Sequence, residues 1–224
     1  MKQSKLVNGR CNIIGITGGV GAGKSTILGY ISDNYSARII YSDNVANDIK
    51  KKGYPAYEPV VSLLGKEILD ADGEIDKKKM AERIFSDSAL LEKVNNILHP
   101  AVNTYIINII DDERMKNEHD FVFVEAALLI ENGYKEIADE LWYVYADENI
   151  RRQRLKSSRG YSDDKITAIF AGQLSDDEFR RECDFVIDNS KREEDSFKQI
   201  DNKLGEWRKN GKLRTAGSEG SIRT

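Results

Sequence analysis

The sequence is poor in cysteine and in long apolar runs, and each shortage excludes a class of protein. Two cysteines, Cys11 and Cys183, are too few for a disulfide framework or a zinc-ligand set, so we expect both to be reduced core residues. No apolar run approaches the length of a membrane span, and residues 1–10 lack the apolar region of a signal peptide. These shortages predict a cytoplasmic protein with no membrane partner.

The sequence also lacks a strong excess of either positive or negative charge. The 34 Lys and Arg residues are scattered among 38 Asp and Glu residues, which gives a net charge of -4 and argues against a nucleic-acid-binding protein. A chain of 224 residues can bury a sizeable core in one compact domain. We expect a monomer or a weak homo-oligomer.

Glycine, by contrast, is concentrated in one stretch. The segment Gly18-Gly19-Val20-Gly21-Ala22-Gly23-Lys24-Ser25-Thr26 satisfies the phosphate-loop pattern G-x-x-x-x-G-K-[ST] at every fixed position. Residues 11–17 before it are apolar and β-branched, as in a buried strand, and residues 25–32 after it have the apolar spacing of a helix. Strand, loop and helix therefore follow in the order that this motif requires.

Each residue type in the motif has a physical reason. Glycine lets consecutive backbone N–H groups turn toward a polyphosphate, and the start of the following helix adds further donors and a positive dipole end. The Lys24 ammonium would meet the β and γ phosphates of a nucleotide, and the Ser25 hydroxyl would ligate Mg²⁺. A purely structural glycine turn is the alternative. The predicted nucleotide-binding residues of this loop are Gly19, Gly21, Ala22, Gly23, Lys24, Ser25 and Thr26.

Four further strands predict the fold class. They cover residues 37–41, 121–125, 141–146 and 184–188, and helical patterns separate them. We expect an α/β protein of the P-loop NTPase class, with a mainly five-stranded parallel sheet flanked by helices. The predicted P-loop domain spans 11–209, with a helical acceptor-binding insertion at 44–118 and a lid at 148–182. The polar tail 210–224 is expected to be disordered.

The insertion has its own predicted helices. They cover 57–64, the region around 75–85, and 88–98, and a further helix spans 101–116. The break at His99-Pro100 is predicted because proline pushes the residue before it out of helical geometry. His99 could touch an acceptor, but a structural role at this junction is the more common case.

Two acidic residues follow strand ends. Asp43 comes after the second strand and Glu125 ends the third, so in a parallel sheet both would face the crevice next to the loop. Asp43 could act as a general base for an attacking hydroxyl, or Ser42 or Asp43 could cap a helix beginning at Val45. Glu125 could bind magnesium through water or orient the acceptor, or it could cap a helix over 126–131.

A basic cluster predicts a lid. Arg151, Arg152, Arg154, Lys156 and Arg159 precede a glycine turn, and such a cluster can close over a triphosphate, where positioning and charge neutralisation matter most. The alternative is a solvated basic face balanced by nearby aspartates. The cluster as a whole favours the lid, with Arg154 and Arg159 as the residues that close.

In this order the stretches resemble the dephospho-coenzyme A kinase family over residues 14–189. The resemblance implies ATP-dependent phosphorylation of the ribose 3'-hydroxyl of dephospho-CoA, the last step of coenzyme A synthesis. It also implies Asp43 as the base, Arg154 in the lid, and a helical insertion that receives the acceptor. The segments that carry it are 15–26, Ser42-Asp43 with Ala46, Leu64-Gly65 through Asp72-Gly73 to Asp76, His99-Pro100, Leu128-Leu129 with Glu131, Arg154-Leu155, Gln173 and 184–189.

The sequence departs from the family pattern at four positions, Tyr41, Ala127, Ser158 and Ile169. These departures leave two alternatives open. One is a P-loop kinase for another nucleoside or nucleotide, and the other is a nucleotide-binding protein with impaired catalysis. A GTPase is disfavoured because Asn202-Lys203-Leu204-Gly205 lacks the aspartate of the guanine signature.

Overall fold

The computed structural model describes residues 11–85, 87–126 and 128–209. It contains a five-stranded parallel sheet, whose strands are β1 Asn12–Thr17, β2 Ala37–Tyr41, β3 Phe121–Glu125, β4 Glu140–Tyr145 and β5 Phe185–Asp188. Across the sheet the strand order is β2-β3-β1-β4-β5. The predicted fold class is confirmed, and each strand begins and ends within about one residue of its prediction.

Nine α-helices lie in the described part of the chain, together with 3₁₀ turns at Lys66–Ile68 and Tyr134–Glu136. The helices are α1 Lys24–Asn34, α2 Ser42–Asp48, α3 Tyr57–Leu64, α4 Lys77–Phe85, α5 Ser88–Lys116, α6 Glu148–Arg159, α7 Asp163–Ala171, α8 Asp176–Glu182 and α9 Glu193–Lys209. None of these helices is long and apolar enough to cross a membrane.

The inner strands are buried because their side chains are apolar on both faces. All six residues of β1 are buried, as are the first four of β3, which is typical of a central parallel sheet. Ile16 of β1 pairs in register with Glu125 of β3. Since the carboxyl ends of parallel strands share one edge, the glycine loop, Glu125 and the residues after β4 and β5 all lie along that edge.

The chain separates into two compact units. The first joins the residues up to Ile39 with those from Glu113 onward, and the second runs from Ile40 to Asp112. Aromatic rings fill the core of the first unit: the Trp142 ring lies 5.4 Å from Phe123 and 5.1 Å from Phe185, centroid to centroid. Trp207 of α9 lies 5.8 Å from Phe121, so this helix packs on the sheet.

The second unit has a core of its own. Its buried residues come from α3, the first 3₁₀ turn, α4 and α5, and they are Val60, Leu64, Ile68, Met80, Leu90 and Val94. The Tyr57 hydroxyl donates a hydrogen bond to the Gly73 carbonyl, and the Asp70 carboxylate accepts from the amides of Asp72 and Glu74. These bonds fix the turn at 70–73 between α3 and α4.

The predicted helix break at His99-Pro100 is wrong. Helix α5 runs without interruption from Ser88 to Lys116, with Pro100 inside it. Proline removes one backbone hydrogen bond there and crowds the preceding turn, at a cost of about 3 kcal/mol. Buried residues continue on both sides of it, including Val94, Val102 and Ile106. Packing of this continuous apolar stripe outweighs the local penalty.

Smaller differences concern single elements. Helix α2 begins at Ser42 with Tyr41 at its N-cap, so neither Ser42 nor Asp43 caps a helix beginning at Val45. Residues 128–133 form turns, not the helix considered after Glu125. The single-domain boundaries 11–209, with an insertion at 44–118 and a lid at 148–182, stay a prediction, and the tail 210–224 lies outside the described residues.

Both cysteines are free thiols. Cys11 is buried before β1, and Cys183 is half-buried before β5. Burial raises the pKa of each thiol to about 12. The prediction of reduced core cysteines fits this placement.

Candidate active site

The glycine loop occupies the turn between β1 and α1 with the backbone that its sequence predicts. Gly23 is the N-cap of α1 in a left-handed conformation, with φ of 93°, and a Cβ at this position would overlap the Asn189 side-chain amide. A Cβ on Gly18 would likewise overlap the Val144 carbonyl. Glycine is therefore required at both ends of the loop, because β4 and Asn189 approach its backbone closely.

The first turn of α1 presents backbone donors in a form suited to an anion. No side chain of the described residues caps this helix, and its first turn contains no acidic residue. The amides of Thr26 and Ile27 bond back to the Gly23 carbonyl. The opening amides of a helix have no acceptor inside the helix, and the helix dipole is positive there. This end of α1 can bind a phosphate group.

Lys24 and Glu125 are brought together beside the loop. The Lys24 ammonium donates to the Gly18 carbonyl at 2.8 Å and lies 3.5 Å from the Glu125 carboxylate. Both side chains are largely shielded, with 16% and 17% of their surfaces exposed. The ammonium bridges the start of the loop and the end of β3, so its charge is held at the carboxyl edge of the sheet.

Asn189 fastens the loop to the last strand. Its side chain is buried, and the Nδ2 group donates to the Ala22 carbonyl at 2.8 Å. Its Oδ1 atom accepts a hydrogen bond from the buried Ser196 hydroxyl at 2.9 Å. Arg154 reaches the same place, where its guanidinium donates to the Ala22 carbonyl at 3.2 Å and to the Asn189 carbonyl at 2.9 Å. The predicted lid residue Arg154 therefore contacts the phosphate loop.

Arg151 and Gln173 hold the tip of the loop. The Arg151 Nε group donates to the Val20 carbonyl at 3.0 Å, and its terminal nitrogen donates to Gln173 Oε1 at 2.6 Å. The Val20 amide donates to the same Gln173 oxygen at 3.3 Å. The guanidinium also lies 4.2 Å above the centre of the Phe170 ring. Burial lowers the pKa of Arg151 from its ordinary value.

The other basic residues of α6 point elsewhere. Arg152 pairs with Glu148 at 2.8 Å and with Asp163 at 3.4 Å, and Lys156 pairs with Asp163 at 2.7 Å. Arg159, a predicted nucleotide contact, is exposed at the end of the helix, 5.9 Å from the Tyr161 ring centre. The basic cluster thus divides between the loop and a paired outer face, and Arg159 lies apart from Arg151 and Arg154.

The oxygen groups near Lys24 fit a magnesium ion in their chemistry. Ser25 is exposed in the first turn of α1, and the Glu125 carboxylate ends the adjacent strand. Hydroxyl and carboxylate oxygens are the ligands that Mg²⁺ takes in phosphate sites, usually with several waters. The donor set is therefore suited to the ion that the loop motif predicts.

Asp43 lies in the second unit, in the first turn of α2, and its side chain is exposed. It does not cap the helix, since Tyr41 occupies the N-cap position. His99 is half-buried within α5. Lys24 belongs to the first unit, so the expectation that Asp43 faces the crevice next to the loop stays a prediction.

Three residues at the site were not among the predicted catalytic, nucleotide-binding or metal residues, although Arg151 belongs to the predicted lid cluster and the other two to segments that carry the family resemblance. Arg151, Gln173 and Asn189 contact the loop through hydrogen bonds from distant parts of the chain. For Arg151 a signal existed, because it shares one helix face with Arg154 and the buried Leu155 at spacings of three and four residues. For Gln173 and Asn189, residue type alone did not indicate a contact with the loop.

The structure combines a five-stranded parallel sheet, a glycine loop with its lysine, and two arginines of α6 that bond to the loop. This combination places the protein in the P-loop kinase class. A family model for dephospho-CoA kinase matches residues 12–195. The chain belongs to the dephospho-CoA kinase family.

Individual relatives agree with this assignment. A dephospho-CoA kinase of Carboxydothermus hydrogenoformans is 36% identical over 196 residues, which cover 88% of this chain and 94% of the relative. A crystal structure of a Thermus thermophilus protein matches with a TM-score of 0.70 and 26% identity, covering 88% of this chain and 98% of that one. The dephospho-CoA kinase structure from Campylobacter jejuni shares the fold, with a TM-score of 0.67 at 22% identity and coverage of 89% and 98%.

Proposed function

We propose that this chain transfers the γ-phosphoryl group of ATP to the ribose 3'-hydroxyl of dephospho-CoA, giving ADP and coenzyme A. The observation that carries the proposal is the family match over residues 12–195, which includes the phosphate loop and the residues that fasten it. The alternatives of another nucleoside acceptor or of impaired catalysis have no comparable support, since the curated relatives are described as dephospho-CoA kinases.

The phosphate loop and its surroundings supply binding and charge neutralisation. The amides at the start of α1 bind the phosphates, and the Lys24 ammonium faces the negative charge that develops as the bond between the bridging oxygen and the γ-phosphorus breaks. Ser25 and Glu125 would hold the magnesium ion. When bound, that ion neutralises phosphate charge and keeps the transferring group in line.

The lid residues Arg154 and Arg159 add positive charge to the site. Arg154 already contacts the loop backbone, and Arg159 is assigned to the closed form, in which the end of α6 moves toward the nucleotide. Closure of such a segment excludes water, which would otherwise compete with the acceptor for the phosphoryl group.

Asp43 is assigned as the general base. As the 3'-oxygen of the acceptor forms its bond to the γ-phosphorus, the hydroxyl proton passes to the Asp43 carboxylate, and ADP leaves with the bridging oxygen. The second unit, which contains Asp43 and helices α2 to α5, would receive the acceptor. This role agrees with the predicted acceptor-binding insertion.

The test is the substitution Asp43→Asn. It keeps the size of the side chain and removes its basicity, so kcat with dephospho-CoA should fall by about 100-fold or more while the Kd for ATP stays within about twofold. Turnover is measured by ADP release and ATP binding by calorimetry. The matched control is Asp33→Asn, at an exposed position near the end of α1, which should keep full activity. A fully active Asp43→Asn variant would remove Asp43 from the mechanism.

A further inference from the structure

The side chain of Asn189 connects the phosphate loop to helix α9. Its Nδ2 group donates to the Ala22 carbonyl at 2.8 Å, and its Oδ1 atom accepts from the Ser196 hydroxyl at 2.9 Å. Only 2% of the Asn189 surface and none of the Ser196 surface is exposed. The two hydrogen bonds therefore form a buried chain from the first turn of α9 to the loop, and Ser196 is not among the residues assigned to phosphoryl transfer.

The direction of the Asn189 amide group is set by its two partners. The Ala22 carbonyl can only accept a hydrogen bond, so it requires the Nδ2 group of Asn189. The Oδ1 atom then faces Ser196 and needs a donor, because an unpaired buried oxygen is costly. The Ser196 hydroxyl is that donor. Its other acceptor, the Asp188 carbonyl at 3.1 Å, also accepts from the Gln199 side chain at 3.0 Å and so has a second donor.

The Ala22 carbonyl shares one planar peptide unit with the Gly23 amide. In a trans peptide the N–H points away from the C=O, so a carbonyl held toward Asn189 directs the Gly23 N–H to the opposite side. Among the described residues this N–H donates to no acceptor. It lies at the start of α1, where a phosphate group can bind. The Asn189 side chain thus fixes the direction of a phosphate-binding donor.

We propose that Ser196 is a positioning residue for nucleotide binding, and that it acts on the phosphate loop through the side-chain amide of Asn189. The proposal rests on the proposed function only in taking ATP as the ligand of the loop. Without the Ser196 hydroxyl, the Oδ1 atom of Asn189 loses its donor and the amide can rotate away from Ala22. The Gly23 N–H is then less well directed before ATP arrives, and binding must order it.

The first experiment compares ATP binding by the wild-type chain and by Ser196→Ala, using calorimetry without an acceptor. The Kd for ATP should rise by about fivefold, which corresponds to the loss of one hydrogen bond between neutral groups. In steady-state kinetics, kcat and the KM for dephospho-CoA should each stay within about twofold of the wild-type value, since the change acts on the nucleotide site alone. An unchanged Kd for ATP would overturn the proposal.

The matched control is Gln199→Ala. Gln199 lies in the next turn of α9, where it accepts from the Asp188 amide at 2.9 Å and donates to the Asp188 carbonyl at 3.0 Å. The control removes bonds between the same helix and the same strand end without touching the Asn189 side chain. Its Kd for ATP should stay within about twofold of the wild-type value. An equal rise in Ser196→Ala and Gln199→Ala would show that a looser junction between β5 and α9 is the cause, against the proposal.

A double-mutant cycle tests whether Ser196 acts through Asn189. Asn189→Ala alone should raise the Kd for ATP by about tenfold, because the Ala22 carbonyl loses its shorter hydrogen bond and keeps only that from Arg154 at 3.2 Å. Adding Ser196→Ala to this variant should change the Kd by less than about twofold. Effects that multiply, as for two independent residues, would contradict the proposed path.

Hydrogen exchange of the Asn189 side-chain amide, followed by NMR, tests the proposal without an Asn189 variant and without ATP. Exchange in Ser196→Ala should be at least about fivefold faster than in the wild-type chain, whereas Gln199→Ala should exchange at the wild-type rate. Equal rates in wild type and Ser196→Ala would refute the positioning role. If the predicted effects on ATP binding and exchange occur in a chain that does not phosphorylate dephospho-CoA, the proposed function fails and the role of Ser196 stands.

Discussion

The side-chain oxygen of Gln173 accepts hydrogen bonds from both the Val20 amide and the Arg151 guanidinium. Arg151 in turn donates to the Val20 carbonyl, so both backbone polar groups of Val20 are bonded to α6 or to the segment after α7. Arg151 is half-buried and stacks on Phe170. These contacts fix its guanidinium, and through it the tip of the phosphate loop, before any phosphate group arrives.

Removing this support should weaken ATP binding more than it slows the chemical step. We expect Arg151→Ala and Gln173→Ala to raise the KM for ATP by about tenfold, with a smaller change in kcat, because a less ordered loop must be ordered on binding. Arg151→Lys should recover only part of this loss, since an ammonium cannot reproduce the forked contact. Steady-state kinetics with varied ATP measure both constants.

The control for this prediction is Arg152→Ala. Arg152 is the next residue on α6, but it pairs with Glu148 and Asp163 away from the loop. Its loss should leave the KM for ATP within about twofold of the wild-type value. Equal increases in the KM for ATP in Arg151→Ala and Arg152→Ala would indicate that α6 acts on the site only through its net charge.

At the level of elements, α5 shows that a long apolar stripe can override a local helix-breaking residue. Pro100 is exposed, and the helix on both sides of it is packed. Pro59 is the opposite case, because it lies in the first turn of α3, where a backbone N–H would have no partner inside the helix. The two prolines therefore differ in how much each destabilises its helix, although both lie in the second unit.

Replacing Pro100 should stabilise the protein. Pro100→Ala restores a backbone donor and relieves the crowded turn, so the free energy of unfolding should rise by about 1 to 2 kcal/mol after the gain in unfolded-chain entropy is subtracted. Pro59→Ala should change it by less than about 0.5 kcal/mol. Urea denaturation followed by circular dichroism measures both. A loss of stability in Pro100→Ala would mean that the bend at this proline is needed for packing.

These elements also show what a sequence can predict. The five strands and the loop were predictable because buried parallel strands are apolar on both faces and the loop motif has fixed glycine positions. The continuity of α5 could not be predicted, since the rule for proline considers only neighbouring residues. The packing that overrides this rule depends on the tertiary structure. The contacts of Arg151 and Asn189 with the loop were missed for the same reason, because both depend on tertiary packing.

In the whole molecule, Arg38 and Glu113 flank the two places where the chain leaves the first unit and returns to it. The Glu113 carboxylate is fully buried and accepts from the Arg38 guanidinium at 3.0 Å, from His119 Nδ1 at 2.7 Å and from the His119 amide at 3.1 Å. Burial would raise the pKa of Glu113, but the hydrogen bonds from His119 and Arg38 outweigh it and lower the pKa below its ordinary value.

This lowered pKa makes stability depend on pH in a defined direction. The charged carboxylate stabilises the folded state above its unfolded pKa of about 4.3, and that contribution is lost as the pH falls through the lower folded value. Glu113→Gln should therefore lower the free energy of unfolding by about 2 kcal/mol near pH 7, and the difference from wild type should shrink below about pH 4. Urea denaturation at a series of pH values measures the difference.

The exposed residue Glu92 of α5 gives the comparison for this experiment. Glu92→Gln should have the stability of the wild-type protein, within about 0.5 kcal/mol, across the same pH series. A Glu113→Gln deficit that stayed constant from neutral to acidic pH would show that the carboxylate acts through packing alone.

The bond between Asn189 and Ala22 joins groups that are 167 residues apart in the chain. The ribosome synthesises the amino end of a chain first. The glycine loop is therefore made early, but its hydrogen bond to Asn189 can form only after most of the remaining chain has been synthesised. A nascent chain that already contains Lys24 still lacks the amide that secures Ala22. We therefore expect the capacity to bind a nucleotide to be acquired late in translation, after β5 has been synthesised and has joined the sheet.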